Sequence, residues 1–186
     1  MPATGRLSLW AMPAADDGDV YREWIERLAH AADTCSFEPH LTLVGSITTE
    51  PPRARIARIV VGTARFAVDL VEVADNPERF RCVVLVARAG SPIVTLHNQL
   101  AAVCAVDAAP YWPHLSLLYA ELDAVERERQ RRSVTIPLPT RVAIDSVALV
   151  DTSDADVTRW SVIDRWPMLP SASDGLRGRS PTSEAH

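Results

Sequence analysis

The sequence repeats one short pattern, as residues 37–43 (FEPHLTL) and residues 111–117 (YWPHLSL), with the two histidines, His40 and His114, 74 positions apart. In each copy an aromatic residue stands three positions before the histidine and a proline directly before it. A hydroxyl residue, Thr42 or Ser116, follows two positions after the histidine and lies between leucines. An internal repeat of this kind predicts two similar lobes, each with a strand that begins at a histidine.

The spacing inside each copy predicts which side chains share a face. Side chains alternate along a strand, so His40 and Thr42 point to one side while the intervening leucines point to the other. The same alternation places His114 and Ser116 together. We expect the leucines to enter the core and a pseudo-two-fold arrangement to bring both polar pairs to opposite sides of one cleft.

The rest of the chain alternates between strand and helix patterns, which predicts the α+β class. Proline positions, acidic helix starts and hydrophobic spacing predict strands at 7–11, 40–47, 66–73, 80–87, 114–119, 133–138, 141–150 and 157–166. The same signals predict helices at 16–32, 54–61, 91–106 and 122–132. In the first helix, Val20, Trp24, Ile25 and Leu28 should form the buried face.

Composition bounds the domain organisation and the possible partners. Residues 1–169 are assigned to a single bilobal domain, and residues 170–186, which are poor in apolar side chains, to a disordered tail. The net charge of −5 disfavours a protein that binds long nucleic acids. Three cysteines are too few for a disulfide framework, and the N-terminal residues lack signal-peptide and membrane-span patterns. We therefore expect a cytoplasmic monomer without a membrane partner.

The repeated histidine and hydroxyl residues favour chemistry at phosphorus. One imidazole can remove a proton from the nucleophile while the other, protonated, donates one to the leaving oxygen. Two hydroxyls can then hydrogen-bond the phosphate oxygens as charge builds on them. A lone histidine in an apolar strand is usually structural, but packing alone does not require a histidine and a hydroxyl twice on one face. This chemistry needs no metal and no other cofactor.

These motifs resemble those of the two-histidine (2H) phosphoesterase superfamily, which has one H-h-[ST]-h motif in each lobe, where h is apolar. Residues 110–122 (PYWPHLSLLYAEL) are similar to the second motif of the plant and yeast cyclic phosphodiesterases. Residues 7–13 (LSLWAMP) and 80–85 (FRCVVL) resemble their first and central strands. The resemblance implies a bilobal α+β fold with two antiparallel sheets flanked by helices, pseudo-two-fold symmetry and a central cleft.

The same resemblance implies a substrate class and a set of site residues. That family hydrolyses ADP-ribose 1″,2″-cyclic phosphate to ADP-ribose 1″-phosphate and nucleoside 2′,3′-cyclic phosphates to nucleoside 2′-phosphates. By matching motif positions, the acid/base pair is His40 and His114. The implied substrate-binding residues are two phosphate-binding hydroxyls, a tyrosine that helps to hold the phosphate and two aromatic residues that line the cleft, namely Thr42, Ser116, Tyr119, Trp10 and Phe80.

Three alternatives stay open from the sequence. An RNA-end 2′,3′-cyclic phosphodiesterase or a 2′-5′ RNA ligase would need a basic groove, for which residues 126–132 (ERERQRR) are a candidate beside their simpler interpretation as a solvated helix face. A non-catalytic sensor could use the duplicated pairs only to bind a cyclic phosphate. Within the enzyme hypothesis, either histidine can be the base.

Overall fold

A computed structural model describes residues 6–108 and 110–171, so most of the predicted tail lies outside the described residues. Within them the chain forms seven strands and four helices, which confirms the α+β class. In chain order these are β1 (Leu7–Pro13), α1 (Ala15–Ala31), β2 (Leu41–Ile47), α2 (Arg53–Val61), β3 (Phe66–Asp75), β4 (Val83–Ala87), α3 (Ser91–Val103), β5 (His114–Leu118), α4 (Ala124–Ser133), β6 (Thr140–Asp151) and β7 (Ser161–Pro167).

The strands form one antiparallel sheet with the order β1-β2-β5-β4-β3-β6-β7 and an additional pairing between β1 and β6. The long strand β6 pairs with β3 near its beginning and with β1 and β7 further along. It thereby joins one half, β2-β1-β6-β7, to the other half, β5-β4-β3-β6. The two sheets implied by the resemblance are thus continuous with each other through β6.

The two halves meet where β2 and β5 begin. These strands share one backbone pair, Leu41 with Leu115, in antiparallel register. Both leucines are fully buried, as the alternation of side chains predicts. Helix α1, which precedes β2, packs against β5, and helix α3, which precedes β5, packs against β2. Each helix therefore covers the motif strand of the other half, which fixes the two motifs relative to each other.

Four local predictions are wrong. Residues 157–159 form a 3₁₀ turn, and the last strand begins only at Ser161. Val20 is 51% exposed, since α1 is rotated so that Tyr21, Ile25 and Leu28 face the core. Phe80 lies in a 3₁₀ turn (Arg79–Arg81) before β4 rather than in a strand. Residues 133–138 form no strand: Ser133 ends α4, and the residues after it run without pairing to β6. Their apolar side chains nevertheless pack against the core.

Candidate active site

The four polar side chains of the repeat line one cleft of about 630 Å³. Because Leu41 and Leu115 are opposite each other in an antiparallel pair, the flanking residues His40 and Thr42 lie on the same side of the sheet as His114 and Ser116. The local two-fold relation at this pair places His40 across from Ser116 and Thr42 across from His114. The structure therefore brings together the four residues that the sequence singled out.

Both histidine rings are fixed in the same way. Nδ1 of His40 lies 2.6 Å from the carbonyl oxygen of Glu38, and Nδ1 of His114 lies 2.8 Å from that of Trp112. A carbonyl oxygen can only accept, so each Nδ1 carries the hydrogen and each neutral ring keeps its lone pair on Nε2. In both copies a backbone carbonyl two residues earlier thus selects the tautomer that has its lone pair on Nε2.

The surroundings of the two histidines differ. His40 is 3% exposed and stacks on the indole of Trp10, with 3.6 Å between ring centroids and 9° between planes. Burial is the main cause that lowers the pKa of His40 to about 4; the hydrogen bond to the Glu38 carbonyl opposes this shift, and the charge of His114 adds to it. His114 is only partly buried; burial is the main cause that lowers its pKa, with the cation of Arg81 adding to the effect.

Tyr119 joins the two motifs at the floor of the cleft. Its hydroxyl donates a hydrogen bond to Nε2 of His40 over 3.3 Å. The ring stacks on Phe37, with centroids 3.7 Å apart, and meets Phe80 edge to face at 5.3 Å. Burial raises the pKa of Tyr119, so the hydroxyl stays protonated and acts as a donor at neutral pH. The structure therefore places Tyr119 in the lining of the cleft, bonded to His40.

Trp10 and Phe80, the two aromatic residues implied by the resemblance, both line the cleft but differ in exposure. Trp10 is 4% exposed, and His40 covers one face of its ring, so it supports the histidine. Phe80 is 42% exposed at the rim. The carbonyl of Phe80 also accepts a hydrogen bond from Oγ of Ser116 over 3.2 Å, which ties the rim to the second motif.

The cleft also contains residues that sequence reasoning missed. Trp160 lies opposite Phe80, with ring centroids 5.7 Å apart, and three arginines, Arg6, Arg79 and Arg81, line the rim. Arg79 and Arg81 flank Phe80 in the sequence. Since Phe80 was predicted to line the cleft, its two neighbours could have been predicted to lie near it. Trp160 directly precedes β7 and belongs to no motif, so only the tertiary structure shows its place.

Other candidate groups lie outside the cleft. His97 is buried, with its Nδ1 2.6 Å from the carbonyl of Leu43 and its ring stacked on Tyr111 at 4.0 Å. The charged run on α4 is internally paired, because Glu126 and Glu128 bind arginines three or four positions further along the helix. Among the described residues, no three histidine, cysteine or carboxylate side chains cluster as metal ligands. Each helix within the described residues is too short or too polar to span a bilayer.

Comparison with known proteins establishes the family. The model of the 2′-5′ RNA ligase superfamily matches residues 19–156, which include both histidine motifs. The chain belongs to this superfamily of two-histidine phosphoesterases. Membership confirms the resemblance seen in the sequence and makes the protein a relative of both phosphodiesterases and ligases.

Individual relatives agree with this assignment. The chain is 25% identical to a protein named cyclic phosphodiesterase from Arabidopsis thaliana over 166 residues, which is 84% of this chain and 91% of the relative. E. coli LigT shares the fold with a TM-score of 0.59 at 20% identity, covering 89% of this chain and 98% of LigT. The Thermus thermophilus protein TT0787 gives a TM-score of 0.58 at 16% identity, covering 87% and 97%.

Proposed function

We propose that the protein is a phosphodiesterase that hydrolyses small cyclic phosphates, namely ADP-ribose 1″,2″-cyclic phosphate and nucleoside 2′,3′-cyclic phosphates. One observation carries the proposal: two histidines, each fixed through Nδ1 by the carbonyl two residues earlier, line one cleft beside two hydroxyls. Two imidazoles that each keep a lone pair on Nε2, which in His40 accepts from the Tyr119 hydroxyl until a ligand binds, are suited to acid/base catalysis on either side of a phosphate. The name of the Arabidopsis relative supports the same reaction class.

In the proposed reaction, water attacks the phosphorus of the cyclic phosphate opposite the leaving ribose oxygen. Nε2 of one histidine takes a proton from the water, and the protonated Nε2 of the other gives a proton to the leaving oxygen. One P–O bond forms and one breaks, so the product is a ribose phosphomonoester. Thr42 hydrogen-bonds a non-bridging oxygen, and the hydroxyls of Ser116 and Tyr119 turn to these oxygens from their partners in the free protein, the Phe80 carbonyl and Nε2 of His40, as negative charge grows there.

Charge supports a small substrate over a long RNA. The chain has a net charge of −5, and the arginines of α4 that could have formed an RNA groove bind carboxylates of the same helix or, for Arg127, Asp75 of β3. A long polyanion needs many unpaired cations along its path. We therefore propose a nucleotide as the substrate. We also propose that the enzyme is a cytoplasmic monomer and that it needs no cofactor.

The test compares wild type with His40→Asn and His114→Asn on both substrates in the presence of EDTA. The asparagine amide can still donate to the backbone carbonyl but cannot exchange protons as imidazole does. We expect each variant to lose about 10²–10⁴-fold in kcat, as is usual for loss of a general acid or base. His30→Asn, at an exposed position on α1, is the matched control and should keep full activity.

Two results would contradict this function. Saturable binding of the cyclic phosphates by wild type without turnover would favour a sensor. Activity that rises with the length of an RNA ending in a cyclic phosphate would favour an RNA-end enzyme instead.

A further inference from the structure

The rim of the cleft carries positive charge that the proposed reaction at the motif residues does not use. Arg79 and Arg81 lie on the 3₁₀ turn before β4 and line the cleft on either side of Phe80 in sequence. Arg6 lines the same cleft from the start of β1. The carboxylates in the lining are Glu121 and Asp154, so the lining has a net charge of +1 in a chain whose net charge is −5. Such a contrast favours an anionic ligand.

The two arginines of the turn are available to such a ligand. Among the described residues, Arg79 has no carboxylate within ion-pair distance, and its guanidinium carbon lies 5.3 Å from the centroid of Phe80. Arg81 pairs with Glu78 at 3.3 Å, but both side chains are largely exposed, at 44% and 64%. An exposed pair of this kind contributes little, so a phosphate can replace the carboxylate.

Arg81 is also close to the reacting end of the cleft. It lines the same cleft as His114 and Tyr119, the residues expected to hold the cyclic phosphate. One ligand in the cleft can therefore reach both the arginines and the reacting position. Phe80 and Trp160, whose centroids are 5.7 Å apart, provide apolar surface beside this position.

We propose that Arg79 and Arg81 form a second anion subsite, which binds a phosphoryl group on the 5′ oxygen of the ribose that carries the cyclic phosphate. This inference rests on the proposed function. When the cyclic phosphate lies at the histidines, its ribose can carry a further phosphoryl group on the 5′ oxygen, as the ribose of a nucleotide does. ADP-ribose 1″,2″-cyclic phosphate and an RNA end both have this group, whereas nucleoside 2′,3′-cyclic phosphates lack it.

The decisive comparison uses two substrates that differ only in that group: adenosine 2′,3′-cyclic phosphate with and without a 5′-phosphate. For wild type we expect kcat/KM to be about 10-fold higher with the 5′-phosphate, as for one charge-assisted contact. In Arg79→Gln, Arg81→Gln and the double variant, this ratio should fall towards 1. Arg55→Gln on α2 removes the same charge from an exposed position that does not line the cleft, and it should keep the wild-type ratio.

Two further substrates show which kind of molecule supplies the phosphoryl group that the subsite binds. ADP-ribose 1″,2″-cyclic phosphate and a dinucleotide ending in a 2′,3′-cyclic phosphate are compared with the same variants. The substrate whose kcat/KM falls most in the double variant is the one that the subsite recognises. A wild-type ratio near 1, or a ratio that survives in the double variant, would overturn the subsite.

Failure of the proposed function is distinguishable from failure of the subsite. If none of these compounds is turned over, the hydrolase hypothesis fails, while the subsite is still tested by calorimetric dissociation constants for the same matched pair. Tighter binding of the 5′-phosphorylated compound that is lost in the double variant would support it. Equal affinities would overturn it.

Discussion

Replacing His40 by asparagine should make the protein's stability less sensitive to acid. His40 is buried against Trp10, and its pKa in the folded state is about 4, compared with the ordinary value of 6.5 in the unfolded chain. Between these values the unfolded chain binds a proton that the folded protein excludes. Because the unfolded state binds more protons, the free energy of unfolding falls as the pH drops below 6.5.

The expected magnitude follows from this difference in proton binding. Lowering the pH from 7.5 to 5 should cost wild type about 2 kcal/mol through His40 alone. This figure is insensitive to the folded-state value, because at pH 5 the folded ring is still mostly neutral. His40→Asn has no group that titrates there, so its free energy of unfolding should fall by about 2 kcal/mol less over the same interval.

Urea denaturation at both pH values measures this quantity directly. The comparison concerns the change between the two pH values, so any constant loss of stability in the variant cancels. His30→Asn, which removes an exposed histidine, serves as the control and should retain the wild-type difference. An identical pH dependence in wild type and His40→Asn would refute the reasoning, because it would mean that the buried ring takes up its proton as readily as a solvated one.

Three further substitutions test the supporting contacts. Tyr119→Phe removes the donor to His40 Nε2 and should lower kcat/KM by about 10-fold in steady-state assays, whereas unchanged kinetics would remove the tyrosine from the site. Trp10→Leu should lower the free energy of unfolding in urea by about 3 kcal/mol through lost burial and stacking, and a loss below about 1 kcal/mol would contradict this packing. Tyr111→Phe should cost about 1 kcal/mol in the same measurement, because the Thr42 carbonyl loses its donor, and full stability would show that this bond is not needed.

The motif residues were predictable because their arrangement depends on local geometry. Strand alternation is a property of a few consecutive residues, so His40 and Thr42 share a face wherever the strand is placed. The same holds for His114 and Ser116, and the duplication indicated that the two pairs belong together. Tyr119 followed from its position in the motif of the resembled family.

Other features depended on contacts between distant parts of the chain. Val20 fits a helical apolar pattern, yet α1 presents Tyr21 to the core instead, because the packing of the helix on β5 sets its rotation. Residues 133–138 alternate like a strand, yet they pair with no strand, and their apolar side chains pack against the core instead. Trp160 reaches the cleft because β7 pairs with β6. The residues near Trp160 in the sequence do not predict this pairing.

The sequence by itself determined which four side chains form the candidate site, since a duplicated histidine and hydroxyl pattern on alternating strands specifies these residues and the face that they share. The tertiary structure alone decided how those side chains differ. Both rings have the same carbonyl partner in their own motif, yet His40 is buried against Trp10 while His114 remains partly exposed near Arg81. Desolvation and the field of a charge depend on what packs around a residue in space, and those neighbours come from strands and turns far away in the chain.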